Sequence, residues 1–134
     1  MRTFGNTDGL LELHCAGVPE SAGVARRFVR DALMAMEVPA ELVERAVLVT
    51  SELATNAIVH ARTAFVLRVH QVASIPALTV SVSDQAATIP VPRVEHPGQE
   101  SGRGLAVVEG FSSAWGVRID PNGKSVWAEF RDDF

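Results

Sequence analysis

The 134-residue chain contains a single cysteine, Cys15. One cysteine cannot close an internal disulfide or build a cysteine-based zinc cluster, and its solitude matches a reducing compartment. There is no basic excess either: Lys+Arg is 12 against Asp+Glu 16, a formal net charge of −4. A domain that grips nucleic acid through its phosphates carries such an excess or a dense basic stripe, so direct DNA or RNA binding is disfavoured. Long apolar runs are missing. The longest nearly uncharged stretch, residues 71–92, is broken by Asp84 and by prolines and is rich in β-branched residues, which reads as strands rather than a membrane span. The N-terminal residues show no signal-peptide pattern, so the expectation is a soluble, cytoplasmic protein. Two nucleotide-binding signatures are absent from the sequence: no G-x-x-x-x-G-K-[ST], and no G-x-G-x-x-G after a first strand.

What is present supports one domain, residues 1–134. Hydrophobic residues make up 47% and charged residues 21%, which excludes a disordered tail and provides a core. The length leaves no room for a cleft between two domains. The segment LLELHC, residues 10–15, alternates as a first strand. From residue 20 to 36 the apolar positions Val24, Phe28, Ala32 and Ala35 step by three or four, as a helix requires. Arg26, Arg27 and Arg30 lie around them, either to dock an acidic partner or as an ordinary solvated face. Pro39 breaks this helix and starts a second, which runs to about Ala61. Residues 64–72 and 77–83 alternate as a hairpin.

A loop over about 85–103 holds Pro90, Pro92, Pro97, Gly98 and Gly102 but few apolar anchors. Loops of that length inside a compact domain are uncommon and are usually functional lids or disordered. A short helix then opens at Gly104. Strands follow at 114–119 and 124–130, joined by the turn signal Asp120-Pro121-Asn122-Gly123. Grouped helices and paired strands predict an α+β fold: a two-layer sandwich with a mixed, mostly antiparallel sheet and helices on one face.

The second helix carries Glu52, Asn56 and His60 at four-residue spacing. Four residues advance an α-helix by about 400° and about 6 Å, so the three side chains share one face. That face is either an ordinary solvated stripe or a site; the apolar neighbours Ala54, Ala57, Ile58, Val59 and Ala61 weigh against the first. An Asn oxygen is a hard neutral ligand suited to Mg²⁺, which takes its remaining ligands from phosphates and water. A Glu one turn earlier can accept the proton of an attacking hydroxyl. Asp84, at a strand end, is a turn former or an acceptor for an exocyclic amine. Gly102 and Gly104, at the start of a helix, let backbone N–H groups approach a phosphate; Arg103 adds charge there or faces water.

Taken in order, E-L-x-x-N-A-x-x-H-A, a strand ending in Asp, a lid, G-R-G-L and a last strand G-K-S-V-W-A-E-F resemble the GHKL ATPases. Within them the chain is similar to the small bacterial anti-sigma-factor serine/threonine kinases. The resemblance runs from Leu10 to Phe130. It implies a Bergerat-type sandwich, ATP and Mg²⁺ as cofactors, and a sigma factor and an anti-anti-sigma antagonist as partners. Homodimers are common in the family. It further implies Glu52 as catalytic base and Asn56 as Mg²⁺ ligand. Asp84 would read the adenine amine, while Gly102, Arg103, Gly104 and Leu105 lie along the phosphates. His60 falls on a position often occupied by histidine. One departure stands out: Ala86 occupies the place of the glycine in the family's D-x-G, and an Ala tolerates positive φ poorly. That departure keeps a second expectation open, a nucleotide-binding or purely protein-interacting regulator without kinase activity.

Overall fold

The computed structural model describes residues 3–5, 9–72, 77–85 and 100–131. Ala86, Pro90, Pro92, His96 and most of the expected lid, residues 86–99, lie outside the described residues. The elements in chain order are β1 (Thr3–Gly5), β2 (Leu10–Cys15), α1 (Glu20–Ala35), α2 (Ala40–Asn56), β3 (Phe65–Val72), β4 (Ala77–Asp84), α3 (Glu100–Phe111), β5 (Ala114–Asp120) and β6 (Gly123–Arg131). A five-residue π-turn, Ala57–Ala61, extends α2. Among the described residues the strands form one sheet in the order β1-β2-β3-β4-β6-β5.

Every neighbouring pair in this sheet is antiparallel, so the sheet is not mixed. The reason is connectivity. Only four residues separate β3 from β4 and two separate β5 from β6, and a helical hairpin returns the chain from β2 to β3 beside it in the opposite sense. None of these is the strand–helix–strand crossover that parallel pairing uses.

Alternation decides what each strand buries. In β4, Leu78, Val80 and Val82 are buried while Thr79, Ser81 and Ser83 are only half-buried. In β6, Val126, Ala128 and Phe130 point the same way. The helices cover this face. Helix α1 buries Ala25, Val29 and Leu33, one residue per turn, and α2 buries Leu42, Val43, Ala46, Val49 and Leu53. These side chains form one cluster with Leu13, Leu67 and Val69 of the sheet and Val108 of α3. At roughly 25 cal/mol per Å² of apolar area, the burial of such side chains is the main force holding the two layers together. The opposite sheet face is polar: Arg68 reaches Glu12 at 2.5 Å and Ser83 at 3.0 Å, and Ser83 bonds Ser125 at 3.0 Å.

The α1–α2 hairpin is also tied on its outer side. Arg30 pairs with Glu44 at 2.6 Å and Arg26 donates to Ser51 at 3.1 Å, so these two arginines are spent on α2. Arg27 is exposed. Helix α3 starts at Glu100, earlier than the sequence pattern indicates, and packs against α2. No helix among the described residues is long and apolar enough to cross a membrane.

Candidate nucleotide site

The end of α2 supplies two of the expected side chains. Glu52 and Asn56 are both half-buried and lie one turn apart. The α-helical repeat stops at Asn56. Beyond it the chain enters the π-turn, which closes with the Arg62 N–H donating to the Ala57 carbonyl at 2.9 Å and leaves Arg62 left-handed at φ 57°. His60 therefore does not continue an α-helical stripe; it sits in the wider turn and is exposed. Such single π-turns recur at functional sites.

The π-turn is fixed to the sheet immediately afterwards. The backbone N–H of Gln85 donates to the Thr63 hydroxyl at 3.2 Å, which joins the exit of α2 to the end of β4. Gly17, in the β2–α1 connection, presses on the other side of this segment: a Cβ there would lie 2.4 Å from the Thr63 carbonyl oxygen. Asn56 and Asp84 are thus carried on two elements that one short loop holds together.

Asp84 is the last residue of β4 and faces the core side of the sheet, in line with Val80 and Val82. Directly across the β4–β6 ladder stands Lys124. Its Nζ lies 3.0 Å from Oδ1 and 2.8 Å from Oδ2 of Asp84. Both side chains are nearly sealed from solvent, 4% exposed for Asp84 and 6% for Lys124. The pair lines a cavity of about 500 Å³ whose wall also includes Cys15, Phe65, Gln85 and Asn122. Glu52 and Asn56 do not line it. Burial pushes the Cys15 thiol above its ordinary value of 9.0, so that wall stays neutral.

Lys124 is the residue that the motif reading passed over, although its signal was present. In K-S-V-W-A-E-F, strict alternation puts Lys124 on the face of Val126, Ala128 and Phe130. A lysine on an apolar face needs a buried counter-charge, and a strand-end aspartate is the natural one. Gly102, Arg103 and Gly104 lie within α3, not in a loop before it, so the glycine backbone there is helical. Leu105 is buried at 1% and its side chain packs inward.

The donor set suits Mg²⁺ held largely by phosphates. Among the described residues no three His, Cys, Asp or Glu side chains gather as a metal cage. A single amide oxygen at Asn56, with water and phosphate oxygens completing the shell, is the arrangement Mg²⁺ favours over a dedicated protein cage. A half-buried carboxylate one turn away is within the same surface patch.

This architecture is that of a nucleotide-binding sandwich. The chain matches the family of histidine kinase-like ATPase domains over residues 15–130, and it belongs to that family. ATP binding is what membership implies. Two solved structures share the fold. The RsbU and RsbW domains of Rv1364c from Mycobacterium tuberculosis match with TM-score 0.69 at 18% identity, over 90% of this chain and 32% of that one. The chain thus spans about a third of that protein. The SiaB–SiaC complex from Pseudomonas aeruginosa matches with TM-score 0.68 at 14% identity, over 92% of this chain and 90% of that one. No curated protein matches.

Proposed function

We propose that the protein is an ATP- and Mg²⁺-dependent serine/threonine protein kinase of the anti-sigma-factor kind, which holds a sigma factor and phosphorylates an anti-anti-sigma antagonist in the cytoplasm. The observation that carries this is the half-buried Glu52–Asn56 pair on the last turn of α2 in a domain of the ATPase family. Glu52 takes the proton from the partner's hydroxyl as that oxygen bonds to the γ-phosphorus and the bond to the ADP oxygen breaks. Asn56 donates its amide oxygen to Mg²⁺, which neutralises phosphate charge when bound. Asp84 accepts the exocyclic amine of the base. The helical turn at Gly102-Arg103-Gly104, the start of a 12-residue helix, turns backbone N–H groups and the positive end of the helix dipole toward the phosphates. Leu105 anchors that turn, and exposed His60 borders the phosphate end. The solved neighbours add that a chain of this fold stands in a protein–protein complex, the SiaB–SiaC complex.

The test is phosphotransfer: ATP, Mg²⁺ and a candidate antagonist, read by the mass of the antagonist. Transfer that Glu52→Gln abolishes while ATP still binds supports the assignment. Antagonist binding with no transfer by the wild type overturns it. The Asp84–Lys124 ion pair favours a second reading, a regulator that binds nucleotide or protein without phosphorylating, because the base-reading carboxylate already holds a cation. ATP binding without turnover, measured by calorimetry, distinguishes that reading.

A further inference from the structure

The buried ion pair has an unequal supply of hydrogen-bonding groups. An ammonium has three donors, and a carboxylate has about four acceptor positions. Both of the Lys124 hydrogen bonds among the described residues go to Asp84, one to each oxygen. Among the described residues, one N–H of Lys124 is left for another acceptor, next to the carboxylate. Donor and acceptor stand side by side because β4 and β6 place Lys124 opposite Asp84, about one strand spacing away. The two groups line a cavity whose wall also includes Phe65, Gln85, Asn122 and the Cys15 thiol, which burial keeps neutral. Its volume of about 500 Å³ is within the range of small-molecule pockets.

We propose that Lys124 is a specificity-determining residue for the base: it donates to adenine N1 while Asp84 accepts from the neighbouring 6-amino group. This rests on the nucleotide reading of the site. Adenine presents an amine donor and a ring acceptor side by side, the complement of the carboxylate–ammonium pair. Guanine presents the reverse, an oxygen at position 6 and an N–H at position 1. In the same pose its oxygen meets the carboxylate and its N–H meets the ammonium, so both contacts turn repulsive. A lone aspartate would test only the group at position 6. The lysine adds a second check at the next ring atom, and a site that leaves buried polar groups unpaired by the wrong ligand discriminates strongly.

The experiment is calorimetric titration of the full chain with ATP, GTP and 1-deaza-ATP, whose ring carries C–H in place of N1. Wild type is expected to bind ATP, to bind 1-deaza-ATP about tenfold or more weakly, and to reject GTP, since a hydrogen bond to a charged donor is lost in the first case. Lys124→Met, checked for folding by circular dichroism, should bind ATP and 1-deaza-ATP alike and lose part of its preference over GTP. The wild-type comparison of the two adenine analogues stands whether or not the variant folds. Equal wild-type affinity for ATP and 1-deaza-ATP overturns the role of Lys124 and leaves the ATP reading intact. No binding of ATP by wild type overturns the ATP reading and this inference with it.

Discussion

Replacing Lys124 by Met keeps an unbranched stem of similar length and removes the charge together with its N–H donors. In the folded protein the charge sits at 6% exposure, 2.8–3.0 Å from both oxygens of an aspartate that is itself 4% exposed. The variant must therefore fold around a carboxylate stripped of its cation. Breaking one side of a buried pair costs about 3–5 kcal/mol. Against a total stability of roughly 5–15 kcal/mol that is a large fraction. For a domain of this size it corresponds to a melting temperature about 10–20 °C lower. The double variant Asp84→Asn/Lys124→Met removes both charges, and replacing a buried pair as a unit is often close to neutral. It should recover most of the loss, to within about 1–2 kcal/mol of wild type, so the double variant loses far less than the sum of the two single variants. Urea unfolding followed by circular dichroism on the four proteins of this cycle measures it. A Lys124→Met variant within about 0.5 kcal/mol of wild type, the range of an ordinary surface substitution, would refute the burial and pairing argument.

Three further outcomes are expected. Gly123→Ala should destabilise the domain by about 2 kcal/mol or more in the same assay, because its φ is +150° and a Cβ would fall 1.9 Å from the Asp84 carbonyl oxygen; a neutral effect would contradict the β4–β6 register at that turn. Leu105→Ala removes a side chain buried at 1% and should cost about 2–5 kcal/mol, with faster hydrogen exchange in α3 than in α2 as the sign that the helix loosens from its neighbour. The Cys15 thiol is raised above 9.0 by burial. A raised folded value means that its stabilising effect is complete below the unfolded value and is lost as pH rises through the folded one. Stability should accordingly fall as pH rises above about 9 more in wild type than in Cys15→Ala, and parallel curves would show that Cys15 does not titrate with folding.

Much of the architecture could be read from period alone. LLELHC, the 77–83 strand and K-S-V-W-A-E-F alternate cleanly, and the two long helices repeat their apolar positions every three or four residues, so their edges fall within a few residues of the observed ones. Strand β1 left no such trace, because three residues are too few to show a period. The start of α3 was hidden by Gly102 and Gly104, which locally favour a turn; the burial of Leu105 and Val108 outweighs that preference. The π-turn was invisible for a related reason: its residues, AIVHA, are compatible with an ordinary α-helix, and the difference lies in which carbonyl each N–H selects. Glu52, Asn56 and Asp84 could be singled out because their motif is local. The partnership of Asp84 with Lys124 could not, since it spans 40 positions and depends on β6 lying between β4 and β5.

The ladder between β2 and β3 has a consequence for synthesis. Its register couples Leu10 to His70 and Cys15 to Phe65, across the whole helical hairpin. As the chain leaves the ribosome at roughly 5–20 residues per second, the apolar LLELHC segment waits about 3–10 s for the strand that will cover its edge. The α1–α2 hairpin, with contacts close in sequence, has time to form first. Strand β2 is therefore made well before the strand that covers its edge, and a chaperone that binds nascent chains would find its recognition site there.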